Sequence, residues 1–281
     1  MKKVLAIALA LVAALNGACS PSRVFYYPNK HLYVDPKNIG INYELLEYPS
    51  LNGKKLIAIR FETKSHPKGT IVHFHGNFGN VSNHFMESEY LVNYGFDVIV
   101  FDYQGFGGSQ GNPSPAITIE DGLATVRFAL KNGRSPHVAL LGQSMGAAVA
   151  TVVAAEEPAV EGVVLEAGFT SYRAIMRHVL RRSAWTWIVY PFYPLLIGHR
   201  YDPDRFIARI SPRPILFIHG DADRLVPYRM SQTLYDKAGE PKEIWIVPGA
   251  GHLECRRKAS AVYEKRIADF FTRAMAASQK R

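Results

Sequence analysis

A serine flanked by glycines, Gly142-Gln143-Ser144-Met145-Gly146, sits where a β-like run, His137-Val138-Ala139-Leu140-Leu141, meets a small-residue helical stretch, Ala147 to Glu156. A serine on so short a strand-to-helix turn takes a strained backbone conformation that pushes its hydroxyl into the open. Positions two places either side must be small, because bulk there would collide with the turn. The helix that follows aims its free N–H groups and positive dipole end back at the serine. An alcohol held this way can attack a carbonyl and have the resulting oxyanion stabilised at once.

Near neutral pH that alcohol needs a base, and the base needs a third group to fix its tautomer. In a strand-turn-helix architecture the chain order is serine, acid, histidine. Pro214 to Gly220 reads as a buried parallel strand ending in a glycine turn, with Asp221-Ala222-Asp223 in the loop after it. Glu243 to Val247 reads as the next strand, closed by Pro248-Gly249-Ala250-Gly251-His252. Catalytic groups in open α/β sheets come from such carboxyl-end loops. Asp223 is preferred as the acid, with Asp221 bonding its own loop backbone as a turn aspartate. His252 is preferred as the base. The alternative, His219, lies on the strand and precedes the acid.

Two backbone N–H donors must meet the oxyanion. One is expected from Met145, the residue after the nucleophile. The other is expected from the loop after the strand Thr70 to Gly76, with Asn77 first and Phe78 second. His73 and His75 share a strand face and His84 lies nearby, but no carboxylate or cysteine stands at ligand spacing, so no metal is expected. The loop Gly105 to Gly111 could pass for a dinucleotide fingerprint. Its third glycine falls one place late, and Asn112-Pro113-Ser114-Pro115 prevents an immediate helix. Asp102 before it is expected to bond loop backbone near His75.

The remaining chain alternates short apolar strands with helices. After an antiparallel hairpin, Tyr43 to Tyr48 with Lys54 to Phe61 about Asn52-Gly53, come a helix over Val81 to Tyr94, a strand over Val98 to Phe101, a helix over Ile117 to Lys131 and a sixth strand over Val160 to Glu166. This rhythm predicts an α/β fold, a mostly parallel central sheet with helices on both faces. Phe169 to Ile210 breaks it and reads as a short helical lid. Arg173, Arg177, Arg181 and Arg182 recur through a helix-like part of it, followed by Trp185, Trp187, Tyr190, Phe192 and Tyr193. Those aromatics either line an acyl or alkyl pocket, with the basic side facing lipid headgroups, or simply pack the lid onto the body.

These motifs resemble the α/β-hydrolase superfamily over nearly the whole mature chain, in particular its BEM46-like and ABHD13/ABHD17-like serine hydrolases. The resemblance rests on His75-Gly76-Asn77-Phe78-Gly79-Asn80, Phe101 to Ser109, Gly142 to Gly146, and His219-Gly220 through Val226-Pro227. It implies Ser144 as nucleophile, Asp223 as acid and His252 as base, and hydrolysis of ester, thioester or lipid bonds without a cofactor. Gln104 stands where arginine is common, and Ala167-Gly168 where a bulkier pair often follows Glu166. An amide hydrolase with the same triad is the rival enzyme reading, and a non-catalytic envelope binding protein is the rival from another class.

The first 18 of the 281 residues read as a signal peptide: Met1-Lys2-Lys3 is basic, and Val4 to Leu15 is a twelve-residue apolar run too short to span a bilayer comfortably. Gly17-Ala18-Cys19 resembles a bacterial lipobox, although Asn16 occupies the place usual for leucine. Cys19 is therefore the expected lipidation site of an exported, envelope-anchored lipoprotein, with plain secretion as the alternative. Residues 19–42 read as tether and lead-in, and 43–281 as the hydrolase domain carrying the 169–210 insertion. Cleavage removes two lysines and leaves 31 basic against 24 acidic residues. That balance favours anionic membrane surfaces. No basic stretch is interleaved for base stacking, so no nucleic acid is expected. With Cys19 acylated, Cys255 has no partner; in a secreted form the two could bridge.

Overall fold

The computed structural model describes residues 25–182, 190–191 and 193–278. The signal segment, Cys19, Trp185, Trp187 and Phe192 lie outside the described residues.

Eight strands build the central sheet: β1 Glu44–Pro49, β2 Lys55–Phe61, β3 Thr70–Phe74, β4 Asp97–Phe101, β5 Val138–Gln143, β6 Val160–Glu166, β7 Ile215–Gly220 and β8 Lys242–Val247. Their order across the sheet is β8-β7-β6-β5-β3-β4-β2-β1. Pairings from β4 through β3 to β8 are parallel, while β2 runs antiparallel to both β4 and β1. The β1–β2 hairpin turns at Asn52-Gly53 as its sequence predicts, with Gly53 at φ 80°, a conformation glycine adopts without steric cost. All residues of β3, β4, β5 and β7 are buried, as expected of parallel strands covered on both faces.

Five longer helices cover the sheet: α1 Pro115–Asn132, α2 Met145–Glu156, α3 Tyr172–Leu180, α4 Arg229–Lys237 and α5 Cys255–Ser278, which breaks at Ser260. Alternate strand residues feed two cores. Val72, Phe74, Ile99, Phe101 and Leu140 join Val149 and Val153 of α2 on one face. Ile71, Val98, Val100, Leu141 and Val164 meet Phe270 and Phe271 of α5 on the other. Helix α2 is buried from Met145 to Ala154, and its alanines let it lie close against the sheet. Close approach is what delivers its N-terminus to the end of β5.

Residues 81–94 are not the single α-helix expected. Val81–His84 forms one α-turn, and 3₁₀ turns follow at Phe85–Glu87 and Glu89–Tyr94. A 3₁₀ turn eclipses residues three apart. That places Phe85, Ser88 and Leu91 in one row against the sheet, all at 0% exposure. Ser88, between the two 3₁₀ turns, reaches His73 at 2.9 Å between Oγ and Nδ1.

In the segment expected as a lid, the described residues form α3, the short helix Tyr193–Leu196 and 3₁₀ turns at Pro203–Arg205 and Ile207–Ile210. Among the described residues no helix is long and apolar enough to cross a membrane.

Candidate active site

Ser144 joins β5 to α2 with φ 56° and ψ −117°, a left-sided backbone that a serine rarely adopts. Neighbours hold it there. Its N–H donates to the Glu166 carbonyl at 2.9 Å. A Cβ on Gly142 would come within 2.7 Å of Ala147 Cα, and one on Gly146 would fall within 2.5 Å of the His75 carbonyl oxygen. The small residues flanking the serine are therefore demanded by backbone, not by pliable side chains.

His252, in the loop after β8, places Nε2 3.0 Å from Ser144 Oγ. Its Nδ1 lies 2.7 Å from Asp223 Oδ2, in the loop after β7. Asp223 also accepts from the Leu225 and Val226 N–H groups through Oδ1, at 2.8 and 2.9 Å. Burial works against its charge. The hydrogen bonds from His219, His252 and Val226 outweigh that and hold the carboxyl well below the usual carboxylate range. An ionised Asp223 requires Nδ1 of His252 to carry the proton, which leaves Nε2 free to accept from the serine hydroxyl.

His219 makes no bond to Ser144. It is fully buried, with Nδ1 2.7 Å from Ser231 Oγ and Nε2 2.8 Å from the Val226 carbonyl and 3.2 Å from Asp223 Oδ2. A carbonyl only accepts, so Nε2 carries the hydrogen and shares it between Val226 and Asp223. The sequence reading weighed this histidine as a base and missed it as a donor to the acid. Its strand position, four residues before Asp223, was the available signal.

Asp221 does not bond its own loop. Its Oδ1 accepts from the Gly249 N–H at 2.6 Å, tying the loop of the acid to the loop of His252. The correction follows from parallel pairing: β7 and β8 end level, Gly220 opposite Val247, so the two loops begin side by side.

The donor pair expected for an oxyanion lies at the same edge. Met145 opens α2, where first-turn N–H groups have no carbonyl four residues back. Asn77 follows Gly76, at which an added Cβ would stand 4.0 Å from Ser144 Cβ. The lead-in braces this loop: Tyr27 N–H donates to the Asn77 carbonyl at 2.8 Å, and Asn80 Nδ2 donates to the carbonyls of Asn29 and His31 at 3.1 and 2.8 Å. Phe78 belongs to a two-residue pairing with Tyr27, and its side chain is exposed. Asp102 Oδ1 accepts from Val81 N–H at 2.8 Å, so it bonds loop backbone as expected, and burial pushes its carboxyl up to about 7.

Behind the serine runs a buried polar chain that sequence reasoning did not find. His73 Nε2 donates to Gln143 Oε1 at 3.0 Å, Gln143 Nε2 to Glu166 Oε2 at 2.8 Å, and Tyr263 of α5 to the same Oε2 at 2.7 Å. It locks both residues that grip Ser144, its predecessor and its backbone acceptor. Burial takes His73 down to about 3, so it stays neutral and bonds as described. Among the described residues no group of three or more His, Cys, Asp or Glu is placed to hold a metal, and Cys255 is buried as a free thiol.

A strand-to-helix serine at the edge of a mostly parallel, twice-covered sheet defines the α/β-hydrolase class. The model of the serine aminopeptidase family, S33, matches residues 65–213, and the chain belongs to that family. It is 30% identical over 261 residues to the uncharacterized protein YfhR of Escherichia coli K12, covering 89% of this chain and 87% of that one. With the lysophosphatidylserine lipase ABHD12 of Danio rerio it shares 26% over 216 residues, 69% of this chain and 54% of the relative. Among solved structures, the Pyrococcus furiosus esterase Pf2001 superposes with a TM-score of 0.73 at 22% identity, covering 89% of this chain and 99% of the esterase. The expected fold class stands.

Proposed function

We propose that this α/β-hydrolase cleaves carboxylic ester or thioester bonds, lipid-like acyl substrates among them, through a Ser144-His252-Asp223 triad and an acyl-enzyme intermediate. The reading is carried by the unbroken relay from Ser144 Oγ through His252 to Asp223, 3.0 and 2.7 Å. His252 takes the serine proton as Oγ attacks the carbonyl. The N–H groups of Met145 and Asn77 stabilise the oxyanion, and Asp223 stabilises the imidazolium. Protonated His252 then gives its proton to the leaving group as that bond to the carbonyl carbon breaks, which leaves an acyl ester on Ser144. Water, deprotonated by the same imidazole, attacks this ester, frees the acid and returns the proton to Ser144 Oγ. The names of the esterase and lipase relatives support an acyl ester. The family's description as serine aminopeptidase favours a second reading, amide hydrolysis by the same groups.

A fluorophosphonate probe followed by p-nitrophenyl esters, thioesters and aminoacyl amides tests it. Labelling of the wild type, its loss in Ser144→Ala, and turnover of esters ahead of amides are expected. Absence of labelling in folded wild-type protein removes the serine-hydrolase reading, and preference for amides selects the second one.

His219 is proposed as a positioning residue that keeps Asp223 aimed at His252. Replacing it with leucine is expected to lower kcat roughly ten- to a hundredfold with KM little changed, since small misplacements of a reacting group cost that much. Unchanged kcat in steady-state assays would leave His219 a packing residue only. Export as a lipoprotein acylated at Cys19 remains part of the proposal, on the strength of the signal-like first 18 residues.

A further inference from the structure

Loops that follow parallel strands all emerge at one edge of a sheet, and here that edge holds Ser144. It also carries exposed apolar side chains: Phe78 after β3, Val179 on α3, Leu195 in the short helix Tyr193–Leu196, and Leu225 after β7, exposed by 55%, 43%, 85% and 48%. Arginines stand among them. Segment 169–210 holds seven arginines and only two acids, Asp202 and Asp204. Asp202 is buried and accepts from Tyr172 N–H at 2.9 Å, and Asp204 pairs with Lys237 at 2.7 Å. Arg177, Arg181, Arg182 and Arg224 have no carboxylate partner among the described residues, and the residues outside that set contain no acid. Helix α3 is fastened to the loop of the triad acid, because His178 Nε2 and Arg182 both donate to the Arg224 carbonyl. Arg224 therefore adjoins Asp223 in sequence, and Arg182 meets the same loop in space.

The lead-in enters at the same edge. Phe25 stands edge-on to Tyr172 of α3 at 5.1 Å, and Tyr27 bonds the loop that carries Asn77. Only five residues lie between Cys19 and Phe25, a reach of at most about 20 Å over the six steps. An acyl chain on Cys19 would thus hold this edge, and not the opposite one, against the lipid.

We infer that this rim docks on an anionic phospholipid bilayer, its apolar side chains entering the headgroup layer while Arg177, Arg181, Arg182 and Arg224 meet lipid phosphates. Exposed apolar side chains among cations without carboxylate partners suit that interface. Docking turns the Ser144 edge toward the layer from which an acyl substrate arrives. The inference rests on the hydrolase reading for its purpose and deepens it by naming the partner surface.

The test uses the processed chain from residue 19 with Cys19→Ser and Ser144→Ala, free of acyl chains and of turnover. Residues 25–278 contain every strand and helix of the two cores, so this chain folds without the leader. Co-sedimentation is measured with phosphatidylcholine vesicles, with or without about 30% phosphatidylglycerol. Binding is expected only with the anionic lipid, falling as salt rises. Arg177→Glu/Arg181→Glu/Arg182→Glu is expected to weaken it about a hundredfold, and Arg177→Glu alone, a side chain with no described partner to lose, about fivefold or more. Lys64→Glu/Lys68→Glu/Lys131→Glu makes the same charge change on the loop before β3 and at the end of α1, at the opposite edge, and should stay within about threefold. Equal binding to neutral vesicles, equal losses in the two triple variants, or no binding at all overturns the inference. Because nothing is hydrolysed, each result is independent of whether Ser144 reacts with a fluorophosphonate.

Discussion

Ser144→Ala is expected to lower the rate of ester turnover by about 10⁵- to 10⁶-fold, and His252→Ala by about as much, while Ser144→Ala/His252→Ala loses little more than either alone. The equality follows from the geometry. Ser144 Oγ has His252 Nε2 as its hydrogen-bond partner, so neither side chain can activate anything without the other. Asp223→Asn should cost less, about 10⁴-fold, since it disturbs the tautomer and charge of the imidazole and leaves nucleophile and base in place. Steady-state kinetics on one p-nitrophenyl ester check the series, with thermal midpoints to show that Ser144→Ala remains folded. Rates that multiply in the double variant would mean that serine and histidine act separately, and the relay would lose its meaning.

Gly146→Ala is expected to destabilise the fold by more than about 3 kcal/mol, a loss of the kind caused by overpacking against backbone. The added methyl would press on the carbonyls of Phe74 and His75 at the end of β3. Those atoms are backbone at the end of a buried strand, where Phe74 pairs with Gly142 of β5. Relief would require moving α2, which drags Met145 and Ser144 with it. Gly198→Ala is the matched control: an added Cβ there meets nothing within 4 Å, and its urea midpoint should stay close to the wild-type value. If Gly146→Ala unfolds at the wild-type midpoint, the close contact between the start of α2 and the end of β3 is not a constraint on the fold.

Much of this arrangement was legible because its signals are local. Gln143-Ser144-Met145, Gly220 through Asp223 and Gly249 through His252 each lie at the end of an apolar run, and apolar runs in alternation with helices mean a parallel sheet with its loops gathered at one edge. What failed was information carried between elements. The apolar spacing of 81–94 suggests a helix, yet the partner of Ser88 is His73, on β3, a contact that the local sequence does not announce. Asp221 looked like a turn residue until β8 brought Gly249 to it. Glu166, Gln143 and Tyr263 are ordinary residues along the chain and become a chain of bonds only when β5, β6 and α5 are stacked. The stretch rich in tryptophan and proline has no period at all, so it yielded an insertion and a composition, not a shape.

The buried bonds from His73 through Gln143 and Glu166 to Tyr263 have a consequence for how such a protein can diversify. Among the described residues, the bonds that hold the Ser144 backbone and its neighbours come from the sheet and its covering helices, and none comes from the 169–210 insertion. The backbone of the serine is therefore set by the body of the fold, while the insertion meets the site through the Arg224 carbonyl, beside Asp223. Changes to the insertion that spare His178 and Arg182 are expected to leave the aim of the alcohol untouched.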